Sequence, residues 1–456
     1  MLRDRARQLN GGVAATGDYV LYWAQMNRRA DANHALEFAA AMANDLGLPL
    51  VCYEALTCSY PHASDRLHTF ILEGVPEMRR RLTQRGIGYV FHLRRRRQDP
   101  NDALYRAAER AAAVVTDDYP AFITPRHNAS VAAKLAVPFW AVDASCIVPM
   151  ERIEKRQWAA YTIRPKIRRL LPRYLVPVEA VRLRRRFSGP LPIADTEVTT
   201  ATIATLAASC EIDHTVPPCA RFQGGRKAAE TALARFLEDR LRRYAREKNE
   251  PSAHATSELS PYLHFGQIGA LEVALAVQEH AREHKLIAEE FLEELIVRRE
   301  LAFNFCRYTE DFQSLTALPD WARATLQEHA GDRRDSVYTR AEFEQAHTHD
   351  PLWNAAQEEL LVDGRIHGYY RMYWGKKIIE WSATPEEALE TAIYLNDRYA
   401  LDGRDPNTYA NILWCFGLHD RPWPERPVFG KVRWMSLEGM RRKTDVEAYI
   451  REGARR

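Results

Sequence analysis

Between Asp18 and Asp143 short apolar runs alternate with longer amphipathic stretches, and the runs 19–23, 48–56, 87–93, 112–116 and 137–142 read as buried strands. Runs this short and this continuously apolar suit a sheet covered on both faces. Repeated strand, helix, strand units of this length imply that the sheet is parallel. Ser64 is placed to cap a helix running toward Gly86. Gly86 is placed to stop it, since a residue without Cβ tolerates the left-handed conformation at a helix end. No Gly-x-Gly-x-x-Gly follows the first strand, so the usual dinucleotide fingerprint is absent. From Cys146 to Arg221 the periodicity weakens and prolines gather (Pro149, Pro165, Pro172, Pro177, Pro190, Pro192, Pro217, Pro218), as in a connector with short helices. After Lys227 the period is helical, over 228–246, 269–284, 288–306 and 385–398. The expected organisation is an α/β, Rossmann-like domain with a parallel sheet over residues 1–145, a connector over 146–226, and a mainly α-helical domain over 227–456.

Composition narrows the class without naming a partner. With 46% hydrophobic and 27% charged positions in 456 residues the chain is an ordinary folded protein. Lys and Arg number 64 against 61 Asp and Glu, a net charge of +3, so any hold on an acidic polymer must come from local patches. No run approaches the roughly 18 apolar residues a membrane span needs, and the opening MLRDRARQLNGG has no apolar signal core. The expectation is a cytoplasmic or nuclear protein with no membrane contact. Seven scattered cysteines without a Cys-x-x-Cys pair read as free thiols in a reducing compartment. His280 with His284, and His347 with His349, have metal-like spacing but no supporting acids or cysteines, and read as solvated histidines with no metal. Arg94 to Arg97 closes a strand as a solvated loop, with nucleic-acid binding as the alternative.

Several segments could carry chemistry. On the helix around residues 291–300, Glu294 and Arg298 share a face, which gives a surface ion pair of a few tenths of a kcal/mol unless one of them faces a cavity. In the tail Trp353, Tyr369, Tyr370, Tyr373, Trp374, Trp381, Trp414, Trp423 and Trp434 interleave with Arg371, Lys376, Lys377, Arg421, Arg426, Lys431, Arg433 and Arg441. Rings and cations so mixed suit unstacked bases and phosphates, or equally a helical core with snorkelling basic stems. Trp374 and Trp381, seven apart, fit core packing as well as a chain of redox-active rings. The segment 256–266 offers hydroxyls and N–H groups at a helix start, an anion site or a simple cap. The polar run 396–407 reads as a turn.

In order along nearly the whole chain, Tyr19 to Trp23 followed by Asn33-His34-Ala35-Leu36, then TSELSPYLHFGQI, EELIVRRELAFNF, DPLWNAAQEEL, HGYYRMYWGKKIIEW, LDGRDPN, ILWCFGLHDRPW and FGKVRWM resemble the class II cyclobutane pyrimidine dimer photolyases. The resemblance implies an N-terminal antenna domain and a helical domain that holds FAD, active as the reduced anion, with a deazaflavin or another pigment as a possible second chromophore. It implies light-driven repair of dimers in UV-damaged DNA by electron transfer to a flipped-out lesion, carried out by a monomer. By position, Tyr244, Ser257, Leu259 and Ser260 would hold the FAD phosphates and ribityl chain. Arg371 and Asp402 would pair beside the isoalloxazine, and Asn396 would sit by flavin N5. Glu294, expected to be a buried acid kept as a hydrogen-bond donor, and Asn249 would meet the dimer, with Arg298 in the same pocket. Met372 and Trp414 would line its apolar side, Arg421 and Trp423 would fill the gap in the duplex, and Lys431 and Arg433 would meet phosphates. Trp374, Trp353 and Trp381 match the family's photoreduction relay, from flavin to surface. Thr408 and Asn411 stand where glycines are expected, and Trp434 replaces a usual tyrosine. The alternative is a cryptochrome-like blue-light sensor without repair. The retained pocket residues, and a chain ending close to its last core-like segment, speak against it.

Overall fold

In a computed structural model, which describes residues 2–13 and 16–453, the first half forms a six-stranded sheet. Its strands are β1 (Ala6–Gln8), β2 (Tyr19–Ala24), β3 (Leu50–Thr57), β4 (Gly88–Arg94), β5 (Ala111–Asp117) and β6 (Phe139–Val142), in the order β1-β6-β5-β2-β3-β4. Every pairing is parallel except β1 with β6, where Ala6 faces Val142. All of β2 and β5 is buried, which is why their sequences run apolar without alternation. Where β2 ends, the Asp117 carboxylate accepts the backbone N–H groups of Gln25, Met26 and Asn27 at 2.9, 2.7 and 3.0 Å and fixes the turn. Asn33 then caps the helix His34–Asp45, its Oδ1 accepting from the N–H of Ala35 and Leu36.

Two expectations change here. The helix beginning after Ser64 does not run unbroken to Gly86. It divides into Asp65–Leu72 and Val75–Gln84, because Pro76 has no N–H for the preceding turn, and Ser64 stands at the cap without donating or accepting a cap bond. Gly86, at φ 78, does end the second piece. The proline-rich connector also holds a long helix, Ala160–Tyr174, that contains Pro165 and Pro172.

The chain folds as two compact units. The first comprises the chain up to Glu154 with Arg169–Leu233 and Leu259–Ala276, and the second comprises Lys155–Arg168, Ala234–Glu258 and the chain from Val277 onward. The second unit is helical and packs around Trp353, Tyr370, Tyr373, Trp374, Leu395, Leu413 and Phe416, all buried. Two π-helical turns lie in this unit, Phe236–Arg240 and Glu293–Arg298. All seven cysteines are free. No helix among the described residues is long and apolar enough to cross a membrane.

Candidate active site

Helices Gly368–Trp381, Pro385–Tyr399 and Pro406–Cys415 of the second unit bring one polar chain of contacts together. Arg371 donates to both oxygens of Asp402, at 3.0 and 3.2 Å. The Thr408 hydroxyl donates to the Asp402 carbonyl at 2.9 Å and lies 3.4 Å from Asn396 Nδ2, which donates to it. The turn that carries Asp402 is built by Arg404. This residue is buried, adopts φ 63, and donates its backbone N–H to Asp397 and its guanidinium to the carbonyls of Asp397 and Ala400. Gly403 is required by close approach, since a Cβ there would lie 2.7 Å from the Asn396 carbonyl oxygen. The glycine this turn needs is therefore Gly403, while Thr408 serves as a bracket between Asn396 and Asp402.

Within this cluster Asn396 Oδ1, Arg371 Nε and, one turn before Arg371, His367 Nε2 are buried without a hydrogen-bond partner. Buried polar atoms are nearly always paired, so three such atoms call for a polar ligand. Their chemistry is defined: an amide acceptor, a guanidinium donor and an imidazole donor. Burial pushes the His367 pKa down to about 4, with Arg365 acting in the same direction, and the neutral ring accepts the Tyr369 N–H at Nδ1. Its proton is then on Nε2.

The second group of residues lies on the π-wound stretch Glu293–Arg298 and its neighbours. Glu294 is not a buried acid: its side chain is 46% exposed and ion-paired with Lys248 at 3.2 Å. Leu295, Ile296 and Val297 take the inward positions, and the π winding removes the α-helical register that would set Glu294 over Arg298. Arg298 instead lies 4.0 Å from Glu293 and 6.0 Å from the Trp414 ring. Tyr244 stands edge-on to Phe291 at 5.2 Å with Lys248 over its ring at 5.7 Å; burial, with Glu294 and Glu290 nearby, raises its phenol pKa. Asn249 is exposed on the turn that follows the helix Leu241–Glu247. Ser257, Met372 and Trp414 are half-buried. In the first unit, Leu259 is buried and Ser260 exposed where the helix Ser260–His264 begins.

Near the C-terminus Trp423 has two guanidinium groups over its ring, Arg421 at 5.0 Å and Arg433 at 5.2 Å, and its backbone N–H bonds the Lys431 carbonyl at 2.8 Å. Arg421 and Lys431 are exposed. The tryptophans at 374, 353 and 381 touch in that order: rings 374 and 353 are stacked at 6.4 Å with 4° between planes, and 353 and 381 meet at 6.3 Å. Trp381 is itself buried, and the exposed residue beside it is His349, at 4.8 Å. Trp434 lies 4.3 Å from the Arg426 guanidinium, and Asn411 is exposed.

Sequence reasoning missed Lys248, Gln357 and His367 as parts of the site, and marked Thr408 only as standing where a glycine is expected. Gln357 Oε1 accepts the Trp374 indole N–H at 2.9 Å and fixes that ring. Local spacing does not mark Lys248, Gln357 or Thr408, whose partners Glu294, Trp374 and Asn396 lie on other helices, whereas His367 caps its own helix by accepting the Tyr369 N–H, a local signal that could have found it. Among the described residues no group of three or more His, Cys, Asp or Glu is arranged to hold a metal.

A Rossmann-like sheet unit with a helical unit is the fold of the photolyases and cryptochromes. The chain matches a Synechocystis cryptochrome with TM-score 0.73 at 14% identity, over 96% of this chain and 89% of that one. It matches a class III photolyase from Agrobacterium tumefaciens with TM-score 0.70 at 16% identity, over 96% and 87%. Residues 20–182 match the family model described as DNA photolyase. Over 98% of its length the chain is 41% identical to a deoxyribodipyrimidine photo-lyase of Methanothermobacter thermautotrophicus, covering 97% of that protein. It is 38% identical to one from Oryza sativa subsp. japonica, over 98% of this chain and 90% of that one. The chain belongs to the photolyase and cryptochrome family, on the branch of the class II cyclobutane pyrimidine dimer photolyases.

Proposed function

We propose that this protein repairs cyclobutane pyrimidine dimers in DNA under light, as a deoxyribodipyrimidine photo-lyase. FAD is the cofactor its family brings. Bound as the reduced anion, it would supply the photoexcitable electron that opens the two carbon–carbon bonds of the dimer and returns afterwards. The residues present fit that group. Arg371, held by Asp402, keeps Nε free to donate toward an anionic ring, and Asn396 keeps Oδ1 free to accept a ring N–H. His367 adds a neutral donor, and the hydroxyls of Tyr244 and Ser257 are the donors for the ribityl and phosphate portion. A nearby cation favours a negatively charged ligand, which supports the anionic form.

On the DNA side, photolyases are among the enzymes that turn their target base out of the duplex, and a dimer, which stacks and pairs poorly, costs less to extrude than intact bases. Glu294, with Lys248 and Asn249, would hydrogen-bond the dimer's polar edge, with Arg298 over Trp414 and with Met372 as its apolar wall. Arg421 and Trp423 would fill the gap, and Lys431 and Arg433 would meet phosphates, fixing position without reading sequence. The contact order of Trp374, Trp353 and Trp381 supports a relay that delivers electrons to oxidised flavin. A second, light-gathering pigment of the deazaflavin type finds support in a cavity of 1270 Å³ in the first unit, whose walls include Phe38, Met42, Trp140 and Val181. We place the protein in the cytoplasm or nucleus as a monomer.

The observation that carries this reading is the set of unpartnered buried atoms on Asn396 and Arg371. The test is reconstitution of the purified chain with FAD, followed by gel filtration and absorbance. One FAD per chain is expected, with retention lost in the double variant Asn396→Leu, Arg371→Met; equal FAD retention by that variant would place the cofactor elsewhere.

A further inference from the structure

We propose that the stretch Lys155–Arg168 is a second DNA contact, at which Trp158 and Tyr161 stack on the bases left unpaired opposite an extruded dimer. The inference rests on the repair function above. Five cations, Lys155, Arg156, Arg164, Lys166 and Arg168, stand in this stretch without one carboxylate. Within it Trp158 is 56% and Tyr161 72% exposed. A single exposed aromatic needs no explanation, but two of the largest exposed rings three residues apart, inside a run of cations, match what a strand of unstacked bases requires. Rings take the base faces, and Lys155, Lys166 and Arg168 take the phosphates, since Arg156 and Arg164 are engaged by the protein itself.

The platform is held rigidly, as a stacking surface must be. The Gln157 N–H donates to Asn304 Oδ1 at 2.7 Å, and Asn304 Nδ2 donates back to the Lys155 carbonyl at 3.1 Å. The Arg156 guanidinium lies 4.5 Å from the Trp158 ring and 5.1 Å from Phe305, and donates to the Ala317 carbonyl at 2.6 Å. Arg164 pairs with Glu293 at 2.6 Å, one residue from Glu294. His419 Nδ1 donates to the Trp158 carbonyl at 2.7 Å, and His419 stands two residues before Arg421. The aromatic pair is thus fastened on one side to the helix that carries Glu294 and on the other to the loop assigned to the gap in the duplex. With the lesion drawn toward the first and the gap filled by the second, the bases within reach of Trp158 and Tyr161 are those of the intact strand.

The experiment compares binding of a dimer-containing duplex with binding of the same dimer strand alone, by fluorescence anisotropy of end-labelled DNA in the dark. Trp158→Ala and Tyr161→Ala are measured beside wild type and Trp158→Phe, and the thermal midpoint and FAD content of each variant report folding. Each alanine variant is expected to bind the duplex about tenfold more weakly, within the range known for loss of one base stack, and the single strand less than twofold more weakly. Trp158→Phe should keep most of the duplex affinity. Equal losses on duplex and single strand would assign the contact to the damaged strand and overturn the proposal, as would unchanged duplex binding. An undamaged duplex of the same sequence is measured with wild type alongside, and if it bound as tightly as the dimer-containing one the repair reading itself would fail.

Discussion

Lys376 lies on the same helix as Arg371, Met372 and Trp374, only 1% exposed, with its ammonium donating to the carbonyl of Cys415, the last residue of the helix Pro406–Cys415. Burial lowers its pKa from 10.5 to about 8, with Arg433 acting in the same direction and Cys415 and Asp420 against it. The unfolded chain therefore keeps this proton up to about 10.5, whereas the folded chain releases it near 8. Between those values the unfolded state binds more protons, so stability rises with pH; below 8 the folded protein bears the whole cost of the buried charge. A shift of that size corresponds to about 3 kcal/mol. Lys376→Met removes this penalty but leaves the Cys415 carbonyl without its donor, a loss of about 1 kcal/mol. The variant should be about 2 kcal/mol more stable than wild type at neutral pH, and the advantage should shrink steadily as the pH is raised from 8 toward 10.5. Urea denaturation of both proteins at a series of pH values, plotted as the difference between them, isolates this group from every other titration. A difference that stays constant across the window would show that Lys376 is not held as a strained cation.

Other outcomes follow from the same geometry. Trp353→Phe removes the ring that touches both other tryptophans, so light-driven reduction of oxidised flavin should be lost, as followed by flavin absorbance, while chemically reduced protein still repairs dimers; loss of both would mean misfolding. Arg371→Met leaves Asp402 largely buried and unpaired, and should lower stability against urea by about 3–5 kcal/mol, with Arg371→Met, Asp402→Asn recovering part of it. Glu294→Ala should slow repair by about tenfold, less than the roughly hundredfold or more that a fully desolvated donor supplies, because this carboxylate is half-exposed and already engaged by Lys248; an unchanged rate would remove Glu294 from the substrate contact.

The parallel sheet was legible because strands buried on both faces run apolar, as β2, β6 and the first five residues of β5 do; β3, with Glu54, and the edge strand β4, with His92 and Arg94, keep enough apolar positions to read as strands. The edge strand β1 was not, since its three residues include Arg7 and Gln8 and pair only at the margin of the sheet. Prolines misled in both directions: Pro76 breaks the helix that begins after Ser64, whereas Pro165 and Pro172 sit inside one. At the site, spacing arguments assumed α geometry around Glu294 and failed because the helix is π-wound there, giving Glu294 to Lys248 and water. No local rule could join Arg371 to Asp402, 31 positions apart, or reveal that Thr408 holds Asn396 and Asp402 together. Arg371, Asp402 and Asn396 were found through family resemblance, and their hydrogen bonds supply a physical reason. The fold alone does not separate repair from light sensing, since a cryptochrome and a photolyase fit it about equally. The similarity over nearly the full chain to photo-lyases, at 41 and 38% identity, does.

The most direct measurement is to illuminate the chemically reduced, FAD-loaded protein with an oligonucleotide containing one cyclobutane thymine dimer and to follow the return of thymine absorbance against a dark sample. Recovery in the light alone, over many turnovers with no further reductant consumed, is the predicted result. Recovery that proceeds equally in the dark, or none in the light from protein that carries its flavin, would contradict it.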